Sequence, residues 1–340
     1  MKKLLAFICI LALLIPVTGC ARLDTPTIQK IGNYVSWEPV EEATSYEIYA
    51  NGELYDTVTE TNYFFKDVTK DLTVQIMARG VKERIKSKMT EEFTISQNSG
   101  FKTDETFELT LASHEEFSVP ASVKHLVVTG SAENSVIIIE ERKSDIVVTL
   151  DNVTLSSKPG KSCIYQNGDK TGSAIIVDMV GSNTLTATHV NSIPEAPAKG
   201  SEKTGSNGYV GGHGIQYENI VFVGNGNIEL FGGNGGTGGT GAAQKDGLFT
   251  ISQAGNGGDG GTGGSGFSCD GVVINAGITS KITVHGGKGG AAGAHGDISI
   301  SIAGGITGGL GFVHDGDAGD DGATHVCQSM VKISGSLHED

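Results

Sequence analysis

Ile146-Val147-Val148-Thr149-Leu150-Asp151-Asn152-Val153-Thr154-Leu155 holds two short strand-like runs hinged on an Asp-Asn pair. Aliphatic and β-branched residues suit a pleated surface, and Asp and Asn tolerate the backbone of a sharp bend. Outward from this stretch the texture repeats: Leu126-Val127-Val128, Val136 to Ile139, Ala174 to Val177, Ile220 to Val223, Ile228 to Phe231, Val272 to Ile274 and Ile282 to Val284. Turn residues separate the runs, as in Asn167-Gly168, Gly181-Ser182-Asn183 and Gly224-Asn225-Gly226-Asn227. Helical periodicity is nearly absent. Strands recurring at roughly 20-residue spacing, each too short to enclose a core, predict stacked solenoid coils. A right-handed parallel β-helix with glycine-rich loops is expected over 105–338, and Asn183 reads as a stacking residue inside a turn.

Glycine divides the chain. Only five of the 51 glycines lie in the first hundred residues, and the densest stretch is 205–324. There the runs have period three: Gly232-Gly233-Asn234-Gly235-Gly236-Thr237, Gly257-Gly258-Asp259-Gly260-Gly261-Thr262, and Gly286-Gly287-Lys288-Gly289-Gly290. No proline follows Pro197, which excludes a collagen helix. Extended helices of three residues per turn remain, with two bare faces through which neighbouring backbones approach and bond laterally. A flexible linker is the alternative. Each run abuts a strand-like segment, Ile228 to Phe231 leading into Gly232 and Ile282 to His285 into Gly286, which favours ordered packing. In composition and period the runs resemble the glycine-rich tips of some phage adhesins.

Residues 24–97 have another character. Tyr34-Val35-Ser36-Trp37, Tyr46-Glu47-Ile48-Tyr49, Thr57-Val58 and Leu72 to Ala78 alternate, with Asn51-Gly52 as a hairpin signal. A small antiparallel sandwich is predicted, with Trp37 in its core. Pro26, Val35-Ser36-Trp37 before Pro39, Ala43, Tyr46 to Tyr49, Asn51-Gly52 and Val74 to Ala78 resemble a fibronectin type III domain, departing at Val74, where that family commonly carries a tyrosine. Such a module implies a spacer. A polar linker, 98–104, follows.

At the amino terminus Lys2-Lys3 precede an apolar run from Leu4 to Val17, the layout of a secretory signal, 1–19. Val17-Thr18-Gly19-Cys20 resembles the lipobox of bacterial lipoprotein precursors, which implies that Cys20 is lipidated and opens a short anchored segment, 20–23. The expected location is extracytoplasmic, tethered to the cell membrane or outer membrane through lipid. The net charge of −15, with Arg142 the only arginine beyond residue 100, argues against nucleic acid as a partner. Cys163, Cys269 and Cys327 lack metal-site spacing; they read as small buried residues at equivalent positions of a repeat, in preference to a disulfide.

Chemistry is sparse. Asp315, Asp317, Asp320 and Asp321 crowd one glycine-rich segment. They are a candidate calcium site, since that ion takes several oxygens in loose geometry; a solvated acidic turn is the other reading. Gly212-His213-Gly214, Gly319-Asp320-Asp321 and Arg84-Ile85-Lys86 resemble polygalacturonase fragments in the wrong order, and no nucleophile elbow is present, so an enzyme is not expected. Val147 to Leu155, Gly172 to Val177, Gly181 to Leu185 and Gly212 to Ile215 resemble a bacterial family of secreted, calcium-binding parallel β-helices that bind plant cell-wall polysaccharide without cleaving it. The resemblance implies a non-catalytic polysaccharide-binding surface protein. A structural adhesin contacting other surface proteins is the alternative, and a polysaccharide lyase or hydrolase a second one.

Overall fold

The computed structural model describes residues 22–82, 85–190, 194–199, 201–243, 254–296 and 314–340; Cys20 and Arg84 lie outside them. Among the described residues there is no α-helix. Packing divides the chain into one unit up to Phe65 with Asp71–Ile95, and another of Lys66–Lys70 with Ser96–Asp340. The first unit therefore ends two residues before the expected boundary.

The first unit contains Ile28–Ile31 (β1), Tyr34–Trp37 (β2), Ala43–Ala50 (β3), Glu53–Val58 (β4), Asn62–Phe64 (β5), Leu72–Gly80 (β6) and Phe93–Ile95 (β7). These form antiparallel sheets in the orders β1-β2-β5 and β4-β3-β6-β7. Alternation decides which side chains face inward: Val35, Trp37, Ile48, Val74 and Ile76 are buried. Trp37 packs edge-on against Tyr46 at 5.1 Å. The β3–β4 hairpin turns on Asn51 (φ 53°) and Gly52 (φ 83°), the two positive angles a type I′ turn requires.

The second unit is a parallel β-helix. Its strands are Thr106–Thr110 (β8), Glu116–Val119 (β9), His125–Ala132 (β10), Val136–Glu140 (β11), Ile146–Ser156 (β12), Ile164–Asn167 (β13), Ala174–Val180 (β14), Ser182–Thr186 (β15), Ile215–Gln216 (β16), Asn219–Gly224 (β17), Asn227–Phe231 (β18), Phe267–Asn275 (β19), Lys281–His285 (β20), His325–Ser334 (β21) and Ser336–Glu339 (β22). Three parallel ladders enclose the core. The first face stacks β8-β10-β12-β14-β17-β19-β21. The second stacks β10-β12-β15-β18-β20-β22, and the third β9-β11-β13-β16-β19-β21. Strand β12 serves two faces by bending at Asn152, which takes φ 53°.

Inward rows run through every coil. On the first face Leu126, Val148, Val177, Phe222 and Ile274 are register partners, all without solvent exposure. Burying such side chains contributes about 1.5–3 kcal/mol each. The last coil alters the rule. Phe267 is matched by His325, Ile274 by Lys332 and Val284 by Glu339, and His325 Nδ1 lies 3.6 Å from Glu339 Oε1. Charged groups thus lie over the end of the apolar stack.

The corner between the second and third faces takes up the extra length. It spans Ala132 to Val136 in an early coil and Ser156 to Ile164 in the next, then Thr186 to Ile215, Phe231 to Phe267 and His285 to His325. The long corners supply five glycine-containing runs at 203–214, 231–243, 254–266, 286–296 and 314–324. Within the bundle their backbones bond to neighbouring runs with period three. From the third run, Gly255, Gly258, Gly261 and Gly264 N–H groups donate to the second, and Gly257, Gly260, Gly263 and Gly266 donate to the fifth. Its carbonyls receive Gly205, Gly208 and Gly211 of the first and Gly287, Gly290 and Gly293 of the fourth. The first, third and fifth runs are mutually parallel, and the second and fourth oppose them. Period-three lateral bonding makes these extended threefold helices packed as a bundle.

Glycine is required in this bundle by closeness. A Cβ on Gly261 would stand within 3.0 Å of the Tyr209 carbonyl, and one on Gly235 within 3.0 Å of the Gly261 carbonyl.

The cysteine expectation is corrected. Cys269 and Cys327 are register partners on β19 and β21 and form a disulfide with Cα atoms 4.8 Å apart, a separation that suits the bond. They are equivalent positions of a repeat, as expected, and adjacency of coils is what brings them together. Cys163 occupies a different row, beside His213 and Gly214, and is a buried free thiol.

Candidate functional site

Sequence pointed to the acidic segment. The structure lays it along the fifth run, where Gly316, Gly319 and Gly322 face the bundle and the aspartates occupy the two other rows. Asp317 and Asp320 share one row, one turn or about 9 Å apart at a rise of 3.1 Å per residue. Asp315 and Asp321 share the other row, two turns apart. Asp315 Oδ1 accepts from His295 N–H and Asp321 Oδ1 from Gly289 N–H, so both tie the fifth run to the fourth. The four carboxylates do not converge, and among the described residues no group of three or more His, Cys, Asp or Glu is placed to hold a metal.

The other singled-out residues have structural contacts. His213 Nδ1 pairs with Ser265 Oγ at 2.8 Å and accepts the Ser265 N–H at 3.0 Å, and burial pushes its pKa below the usual histidine value. His213 and the Asp320-Asp321 pair lie on the first and fifth runs, each bonded to the third. Arg142 is buried and donates to the carbonyls of Val119, Pro120 and Val123, pinning a turn. Asn183 is buried, as a stacking residue would be: its Oδ1 accepts Val153 N–H, and its Nδ2 donates to the carbonyls of Val180 and Asn227.

At the opposite end of the third face, where β13, β16, β19 and β21 turn toward the first face, lies an open groove of about 430 Å³. It is lined by Gln166, Lys170, Gln216, Glu218, Asp270 and Gln328, with Ser268 and the disulfide among the remaining walls. Strand alternation positions these residues. Gln216, Ser268 and Val326 are outward register partners, while the positions between them send Tyr217 and Cys269 inward. Gln166, Glu218, Asp270 and the neighbouring loop are tied together. Gln166 Oε1 accepts Glu218 N–H at 3.1 Å. Glu218 accepts the N–H groups of Thr171 at 2.8 Å and Gly172 at 2.9 Å. Lys170 Nζ lies 2.7 Å from both Asp270 oxygens, and Gln328 Nε2 donates to Asp270 Oδ1 at 3.2 Å.

Both groove carboxylates are therefore bonded to neighbouring donors, an arrangement that holds the walls together. Among the described residues, Gln216 Nε2, Ser268 Oγ and Gln328 Oε1 have no protein partner. Together they offer donors, an acceptor and a hydroxyl over stacked strands about 4.8 Å apart. No motif marks these residues in the sequence. Only the alternation on each side of Cys269 and Cys327 carried a signal.

A scan against models of known protein families and a search of characterised proteins match nothing in this chain.

Proposed function

We propose that this protein is a surface-tethered, non-catalytic polysaccharide-binding protein whose ligand lies in the groove at the corner of the third and first faces. The observation that carries the reading is the set of unpartnered amide and hydroxyl groups that successive coils present in the groove, since sugar hydroxyls both donate and accept. A concave site with a few fixed polar groups is the usual form of a binding pocket. Tethering rests on Cys20 as lipid acceptor, and the Cys269–Cys327 disulfide is consistent with an oxidising, extracytoplasmic compartment. The bundle favours a second reading, a structural adhesin that uses the glycine runs for protein contacts.

The test is retention of the full chain on insoluble polysaccharides, with and without a calcium chelator, compared with a Gln216→Ala/Gln328→Ala variant. Retention lost in the variant supports the groove, and loss on chelation gives calcium a part. Retention on none of the polysaccharides favours the adhesin, and release of reducing or unsaturated sugar ends would establish an enzyme.

A further inference from the structure

We infer that Asp270 sets the class of sugar the groove accepts, and that this class is uncharged. The inference rests on the glycan reading of the groove and concerns its chemistry. A uronate chain carries a carboxylate on each ring and needs an unspent cation or several free N–H donors to replace its water. Lys170 is the one cation among the lining residues. Its ammonium group is held 2.7 Å from both oxygens of Asp270, while Gln328 fixes the same carboxylate from the next coil. Glu218 adds a second anion that only backbone N–H groups compensate. The groove thus carries two carboxylates to one ammonium, within a chain of net charge −15. A polyanion meets repulsion there, whereas a neutral sugar meets Gln216, Ser268 and Gln328 without disturbing any charge pair.

Asp270 acts through Lys170. Neutralising Asp270 removes one anion and leaves the ammonium uncompensated at the groove wall, the feature a uronate requires. The Asp270→Asn variant is therefore expected to widen specificity toward acidic sugars.

The experiment measures binding of neutral hexasaccharides (xylan-, cellulose- and mannan-derived) and of hexagalacturonate to the purified full chain. The proteins are wild type, Asp270→Asn and Asp270→Asn/Lys170→Met, at low and moderate salt, with circular dichroism reporting folding. The wild type is expected to bind at least one neutral hexamer and to bind hexagalacturonate at least tenfold more weakly. Asp270→Asn should raise hexagalacturonate affinity about tenfold, a gain abolished by salt and by Lys170→Met. Should wild type prefer hexagalacturonate, or Asp270→Asn leave the ratio unchanged, the inference falls while the glycan reading stands. If no variant folds, the salt response of the wild type decides: acidic-sugar binding that strengthens as salt is removed overturns it, and neutral binding indifferent to salt supports it. Binding of no hexamer by any protein overturns the glycan reading itself, and this inference with it.

Discussion

Gly261→Ala adds one methyl group at the centre of the bundle, where it has nowhere to go. The new Cβ would stand within 3.0 Å of the Tyr209 carbonyl, and both sides of the contact are backbone, so no rotamer relieves it. Reaching ordinary carbon–oxygen contact requires the first and third runs to separate by about 1 Å. That movement takes Gly208 N to Asp259 O (2.7 Å) and Gly211 N to Thr262 O (2.9 Å) out of bonding range, at about 1 kcal/mol net for each bond. Residual overpacking adds about 1–3 kcal/mol. The stiffer unfolded chain returns less than about 1 kcal/mol. The expected loss is about 3 kcal/mol, localised to the bundle. Hydrogen–deuterium exchange of the peptide covering 254–266 should then be about a hundredfold faster than in wild type. Thr262→Ala, one residue along on an exposed row, should change exchange by less than about threefold. Equal exchange in the two variants would refute the close-packed reading.

Burial pushes the Cys163 thiol up to about 12, so native protein should not react with a thiol reagent at pH 8 and should label at Cys163 once denatured without reductant; labelling at Cys269 or Cys327 in that sample would contradict the disulfide. His213 and His125 are held below the usual histidine value by burial, so near and below pH 6.5 the unfolded chain binds protons that the folded chain does not. Their stability contribution is then present above about pH 6.5 and is lost as pH falls. The drop in urea midpoint between pH 7.5 and 5.5 should be smaller in a His125→Gln/His213→Gln variant. Lys332 and Glu339, exposed and charged at positions level with buried Ile274 and Val284, oppose stacking of another molecule on that end. The triple variant His325→Phe/Lys332→Ile/Glu339→Val should self-associate in sedimentation runs where wild type does not, and a folded, monomeric triple variant would contradict this role.

Legibility followed locality. The strand pattern, the Asp-Asn and Asn-Gly turns and the buried Trp37 were readable because each depends on side-chain alternation or on φ preference within a few residues. The disulfide was missed because Cys269 and Cys327 are 58 residues apart and meet only through coil register, which a corner of variable length conceals. The groove was missed for the same reason: Gln166, Gln216 and Gln328 come together as its lining only after three corners of different length have been closed. The acidic segment shows the converse, sequence neighbours that the fold sets apart. Neighbours in sequence are turned to different faces by a threefold helix, so four aspartates in seven residues become two separate rows.

The glycine triplets and the β-coils share a spacing, and register within the bundle follows from it. Each run leaves or enters a strand without a break, as Phe231 leads to Gly232 and Gly266 to Phe267, so coil-to-coil separation is imposed on the bundle from its base. At three residues per turn, removing whole triplets shortens a run while every glycine keeps its row. Deleting Gly235-Gly236-Thr237 together with Gly260-Gly261-Thr262 should leave a shorter bundle with its lateral bonds intact. Deleting only Gly235-Gly236 and Gly260-Gly261 moves Thr237 into the row of Gly235 and Asp259 into the row of Gly261, where a Cβ meets a neighbouring carbonyl within 3.0 Å. The smaller deletion should therefore be the more damaging, exposing the second and third runs to proteolysis under conditions that spare the triplet deletion. Were the two deletions equally resistant, or the triplet deletion the more labile, phase would not be what orders the glycine runs.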